Sequence, residues 1–81
     1  MSESFITLKD TKPGDIVLVI DIVGNRYDEI KRRIMDVGIL PGTRIEVVKV
    51  APFGDPIQIS LLEFDLVIRK SEAAKILVKY M

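Results

Sequence analysis

The sequence predicts a mainly β protein: a small, partly open β-barrel of about five strands with one inserted α-helix. Three observations carry this. Short runs of β-branched residues recur along the chain, Pro-Gly and Gly-containing turn signals separate them at close intervals, and one stretch alone has helical periodicity. Eighty-one residues, 48% of them hydrophobic, make a single domain, residues 1–81, with enough apolar side chains for one core.

Thr7-Leu8-Lys9-Asp10 has capping-box spacing and predicts one helical turn with Leu8 as its buried anchor. Lys12-Pro13-Gly14-Asp15 is a turn that launches the strand DIVLVIDI, whose Ile16, Leu18, Ile20 and Ile22 share a face. Val17 and Val19 are apolar too, so the other face is expected to be covered as well. The helix is expected over Tyr27–Val37, with Asn25 as its cap and Gly38 as its left-handed stop. Tyr27, Ile30, Ile34 and Val37 form its apolar face, and Asp28, Arg32 and Asp36 form a charge ladder on the other. Leu40-Pro41-Gly42-Thr43 has the composition of a type II turn.

In RIEVVKVA the alternation changes phase, with Ile45 and Val47 inward and then Val48 and Val50, which predicts a bulge near Val47-Val48. Pro52-Phe53-Gly54-Asp55-Pro56 is a loop by composition. Ile57, Ile59 and Leu61 alternate on the next strand, and Phe64, Leu66 and Ile68 on the one after. Leu62-Glu63 between them is poor turn chemistry, which predicts a bend or a continued strand in place of a tight hairpin. Ser71 caps a brief turn through Ala74, and Ile76-Leu77-Val78 closes the chain as a short strand.

Composition narrows the chemistry. Twelve basic and twelve acidic residues cancel, and histidine and cysteine are both absent. That removes imidazole acid–base catalysis, thiolate chemistry and soft-metal ligation. The serines at 2, 4, 60 and 71 have no neighbouring base, and the five glycines are spread singly with no phosphate-loop spacing. The chain reads as non-catalytic, with no cofactor and no metal site assigned, although oxygen-only coordination near Asp55 and direct metal sensing stay open. The longest apolar run, Ile16–Ile20, is too short to span a bilayer, and the N-terminus has no signal-peptide pattern, so the expected location is the cytoplasm, without membrane insertion.

Two places are candidates for binding. Lys31-Arg32-Arg33 reads first as a solvated helix face, with Arg32 held between Asp28 and Asp36, and second as a docking patch. Phe53 sits on a loop stiffened by Pro52 and Pro56, where an exposed aromatic would anchor an interface or fold back over the barrel end.

These segments together resemble the FeoA family. The resemblance lies in Leu8 ahead of Lys12-Pro13-Gly14-Asp15, then the run from Arg33 through Asp36, Gly38, Pro41 and Gly42 to Thr43. It continues in Ala51 through Ile57, and in Leu66-Val67-Ile68-Arg69 with Glu72-Ala73 ahead of Ile76. It covers Leu8–Val78. Where the family has a basic residue and a glycine in the last hairpin, this chain has Leu62 and Glu63. The resemblance implies an SH3-like fold and a cytoplasmic accessory of ferrous iron uptake. The implied partner is an FeoB-type membrane transporter, met at its cytoplasmic G-protein domain. Carried over by position, the contact residues are Arg32, Arg33 and Asp36 on the helix and Pro52, Phe53, Gly54, Asp55 and Pro56 in the loop. Pro13, Gly14, Gly38, Pro41 and Gly42 serve backbone geometry. A weak homo-oligomer is allowed by this reading.

Other readings remain beside it. Lys12-Pro13-Gly14-Asp15-Ile16-Val17 resembles the opening of KOW-type RNA-associated barrels, but a helix follows where a second strand should, and zero net charge disfavours nucleic acid. A receptor for proline-rich peptides would need a richer aromatic groove than Phe5, Tyr27, Phe53, Phe64 and Tyr80 offer.

Overall fold

The structure, a computed structural model, describes residues 5–81; the serines at 2 and 4 and the start of the N-terminus lie outside it. Six strands form one antiparallel sheet: β1 (Ile6–Thr7), β2 (Ile16–Ile22), β3 (Arg44–Val50), β4 (Ile57–Ser60), β5 (Asp65–Ile68) and β6 (Ile76–Tyr80). Their spatial order is β1-β6-β2-β3-β4-β5, so the last strand lies between the first two, and β1 and β5 are the edges among the described residues. Helix α1 (Glu29–Asp36) is inserted between β2 and β3, and α2 (Lys70–Ala73) between β5 and β6. The fold is therefore mainly β, as expected, with a sixth strand that two residues of sequence could not announce.

The expected helical turn is a 3-10 turn, Leu8–Asp10, and it buries Leu8 completely. The predicted capping box between Thr7 and Asp10 is present. The Asp10 carboxylate accepts from both the Thr7 amide, at 3.1 Å, and the Thr7 hydroxyl, at 3.0 Å. Thr11, buried itself, donates its hydroxyl to the Leu8 carbonyl at 2.6 Å.

In β2 the core residues are Val17, Val19 and Ile22, not the Ile16-Leu18-Ile20-Ile22 set. An irregularity in the pairing with β6 between Val19 and Asp21 shifts the strand by one residue, so that Ile22 in place of Asp21 joins the face of Val17 and Val19. Ile16, Leu18 and Ile20 stay half-buried on the outer face. The expected break in β3 is present: pairing with β4 slips between Val47 and Lys49, leaving Val48 exposed. Ile57, Ile59 and Leu61 all enter the core. Phe64, expected inside, is half-exposed because the chain bends at Leu62-Glu63 and Phe64 stands at the mouth of that bend. Its carbonyl accepts from the Leu61 amide at 2.8 Å, and no residue there takes positive φ.

α1 is shorter than predicted and buries less. Asp28, not Asn25, is its cap, accepting from the Ile30 amide at 2.9 Å and the Lys31 amide at 3.1 Å. Asn25 instead accepts from the Tyr27 amide in the preceding turn. Tyr27 therefore lies ahead of the helix, 77% exposed, with the Arg26 guanidinium 5.4 Å from its ring centre. Ile34 alone is fully buried, with Ile30 packed beside it and Val37 largely open. Gly38, at φ 101°, ends the helix in a Schellman motif. The Gly38 amide donates to Met35 O at 3.0 Å, the Ile39 amide donates to Ile34 O at 3.3 Å, and Ile39 is buried against the core. The Leu40–Thr43 turn follows, closed by the Thr43 amide on Leu40 O at 2.9 Å.

Candidate partner-binding site

The two stretches picked out by sequence converge on α2. Ser71 does not cap this helix, since it lies inside it. Two carboxylates do: Glu72 accepts from the Arg69 amide at 2.8 Å, and Asp55, fifteen residues upstream in the loop, accepts from the Lys70 amide at 3.0 Å. The aliphatic end of Lys70 lies beside Gly54, whose φ of 82° shapes the loop tip. The Ala51 carbonyl accepts from Gly54 N at 2.8 Å, and the Ala51 amide donates to Pro56 O at 3.1 Å, across a cis Asp55-Pro56 peptide. The loop is thus tied at its base and at its acid. Phe53 at its tip is 92% exposed: it does not fold back over the barrel.

The helix residues do not form one patch. Arg33 turns toward α2, with its guanidinium 3.9 Å from Glu72, and walls a groove of about 140 Å³ that also borders Val37, Leu66 and Val67. Arg32 and Asp36 line a different hollow, about 420 Å³, with Asn25, Arg26, Lys31 and Met35. The predicted Asp28-Arg32-Asp36 ladder is absent. Asp28 is committed elsewhere, to capping and to Lys75 Nζ at 2.6 Å. That ammonium is the main reason the Asp28 carboxyl is held below its ordinary pKa, followed by the Lys31 amide. Lys31 in turn donates to the Gly24 carbonyl at 2.8 Å, so only Arg32 and Arg33 of the basic cluster remain for a partner.

Sequence reasoning missed Lys75, Lys70 and Glu72. Glu72 stood three residues after Arg69, an N-terminal acid signal for α2, but Lys75 pairs with Asp28 across forty-seven residues and left no local trace. Among the described residues, no three carboxylates gather as a metal site would require.

An open antiparallel sheet, a helix in the first long connection and a short helix before the last strand define the class: a small SH3-like domain. The family model of the FeoA domain matches residues 6–80, and the chain belongs to the FeoA family. It is similar to an FeoA-like protein of Clostridium acetobutylicum solved by NMR. The two are 40% identical with a TM-score of 0.88, over 99% of this chain and 91% of that one. It is 29% identical over 72 residues to an Fe(2+) transport protein A/Fe(2+) transporter FeoB fusion protein of Porphyromonas gingivalis. The match covers 89% of this chain but only 8% of that relative's length. The fold is shared with FeoA of Stenotrophomonas maltophilia, solved with zinc and described as a prokaryotic SH3 domain protein with a suggested role as a ferrous iron transport activating factor. Identity there is 24% and the TM-score 0.80, over 91% of this chain and 89% of that one. No described helix is long and apolar enough to cross a membrane.

Proposed function

We propose that this chain is a non-catalytic cytoplasmic accessory of ferrous iron uptake that docks on the cytoplasmic G-protein domain of an FeoB-type transporter. The observation that carries the reading is the braced loop. An aromatic side chain stands almost fully in solvent on a turn held by Asp55 to α2, so binding it costs little further ordering. Arg33, reaching α2 from the other side, extends the same surface, and Pro52, Gly54 and Pro56 hold its shape. Arg32 and Asp36, which line the separate hollow beside α1, form a second contact. The fusion relative supports the choice of partner, because it joins a matching segment and an FeoB transporter in one chain.

The test is a calorimetric titration of the chain into the transporter's isolated cytoplasmic domain. Phe53→Ala is expected to weaken binding by about 2 kcal/mol, as loss of an aromatic anchor does. Wild type and variant binding alike would remove Phe53 from the site, and heat no greater than dilution would remove the partner.

A further inference from the structure

We infer that the notch where β3 outruns β4 is a separate docking surface, which takes an extended basic segment flanking the membrane helices of the transporter. This rests on the transporter being the partner. The sheet itself opens the notch. Glu46 pairs with Ser60, the last residue of β4, whereas Arg44 pairs only with Leu18 of β2. The Val47 amide donates to Asp15 O and the Thr43 carbonyl accepts from the Val19 amide, so these alternate residues bond toward β2. Arg44, like Glu46, therefore turns its backbone toward β4. Neither the amide nor the carbonyl of Arg44 finds a partner there among the described residues. Leu61 and Leu62, leaving β4 at this point, wall a hollow of about 450 Å³ with Thr43, Arg44, Glu46 and Ser60. An extended segment laid in it meets a free backbone donor and acceptor. Leu62 stands at its rim, 93% exposed, in a bend where turn chemistry favours Asn or Gly. A large apolar side chain that serves neither the turn nor the core breaks the local rules as contact sites do.

Charge selects the occupant. The register sets Glu46 opposite Ser60 and Ser60 opposite Asp65, so the two acids share the outer face on either side of the serine. Glu63 follows Leu62 in the bend. All three acids are exposed, and none has an ion-pair partner among the described residues. Arg44 is the one base lining the hollow, so the surface carries net negative charge around an apolar centre. Its complement is a segment both basic and apolar. Cytoplasmic segments beside membrane helices have that composition, because Lys and Arg are held on the cytoplasmic side next to the apolar span. Phe53 and Leu62 lie beyond opposite ends of β4, whose four residues span about 13 Å. The loop thus meets the G-protein domain while the bend meets the membrane-side segment.

The test compares binding of the chain to the transporter's isolated cytoplasmic domain and to the full-length transporter in nanodiscs, with empty nanodiscs as the blank. The full-length transporter is expected to bind about tenfold more tightly, and the gain should fade as salt rises. Leu62→Asn removes no buried contact, so a folded chain is expected. It should abolish the gain and leave affinity for the isolated domain at the wild-type value. Glu46→Gln combined with Asp65→Asn should shrink both the gain and its salt dependence. The inference is overturned by equal affinity for the two transporter forms, by a gain that survives Leu62→Asn, by an equal loss on the isolated domain, or by binding to empty nanodiscs. The docking of Phe53 fails separately. If the isolated domain does not bind, while the full-length transporter does and Leu62→Asn releases it, the G-protein contact is lost and the notch stands. If Leu62→Asn loses its cooperative thermal transition, the carboxylate pair decides alone.

Discussion

Asp28 shows how much one side chain can hold. Its Oδ1 closes the start of α1, its Oδ2 takes the Lys75 ammonium at the start of β6, and Gly24 lies so close that an added Cβ would stand 2.6 Å from that oxygen. A glycine that sequence explains as a strand end is thus also required by a close approach. The carboxylate is only 20% exposed, and its pKa is lowered chiefly by the hydrogen bond from Lys75. A carboxyl that binds its proton less readily when folded than when unfolded adds stability that is fully present above the unfolded pKa, about 4. That stability is lost as pH falls through the lower folded value. Asp28→Asn keeps a competent cap and removes the ion pair. Its urea midpoint should fall below wild type at neutral pH, and the gap should narrow as pH drops below about 4. A gap constant across pH would mean that the Lys75 pair contributes nothing. Asp10, lowered first by the Thr7 amide and then by Lys9, keeps some acid sensitivity in both proteins.

At the scale of elements, α2 decides the geometry of the candidate site although it is four residues long. So short a helix has no stability of its own, and its first free amide is satisfied by Asp55 from a loop it would otherwise not hold. Asp55→Ala should cost about 1 kcal/mol in urea unfolding, the usual effect of a lost cap. The Lys70 amide should exchange faster with solvent and Phe53 should gain mobility, both read by NMR. Unchanged Lys70 exchange would show that the loop is held by other means. α1 is bound differently, through buried Ile34, the Schellman close at Gly38-Ile39 and the Asp28 tie. Its helical periodicity named four inward residues, but only the central two pack inward, because the cap at Asp28 starts the helix after Tyr27 and the glycine stops it at Val37.

The whole molecule separates what sequence carries from what it leaves out. Turn glycines, the α1 stop, the β3 bulge and the alternation in β4 are local, since each is decided by φ preference or by side-chain period within a few residues. The irregularity in β2, the Asp55 cap and the Asp28–Lys75 pair depend on chain that arrives later, so no local pattern holds them. The same is true of strand order. β6 contributes Ile76 and Val78 to the core and, among the described residues, is the only strand that pairs with β1 as well as β2. Removing residues 76–81 would therefore expose the flanks of both, strip two buried side chains and delete the backbone next to Lys75. Each such side chain is worth about 1.5–3 kcal/mol, against a total stability of about 5–15 kcal/mol for a domain. The truncated chain should lose its β-sheet circular dichroism signal and its cooperative thermal transition. Removing residues 1–6 takes half of a two-residue edge strand and leaves buried Leu8 in place, so the transition should persist at a lower temperature. A cooperative transition in both truncations would mean that the sheet forms without the strand that joins β1 to β2, and one in neither would make the β1 edge as essential as the core.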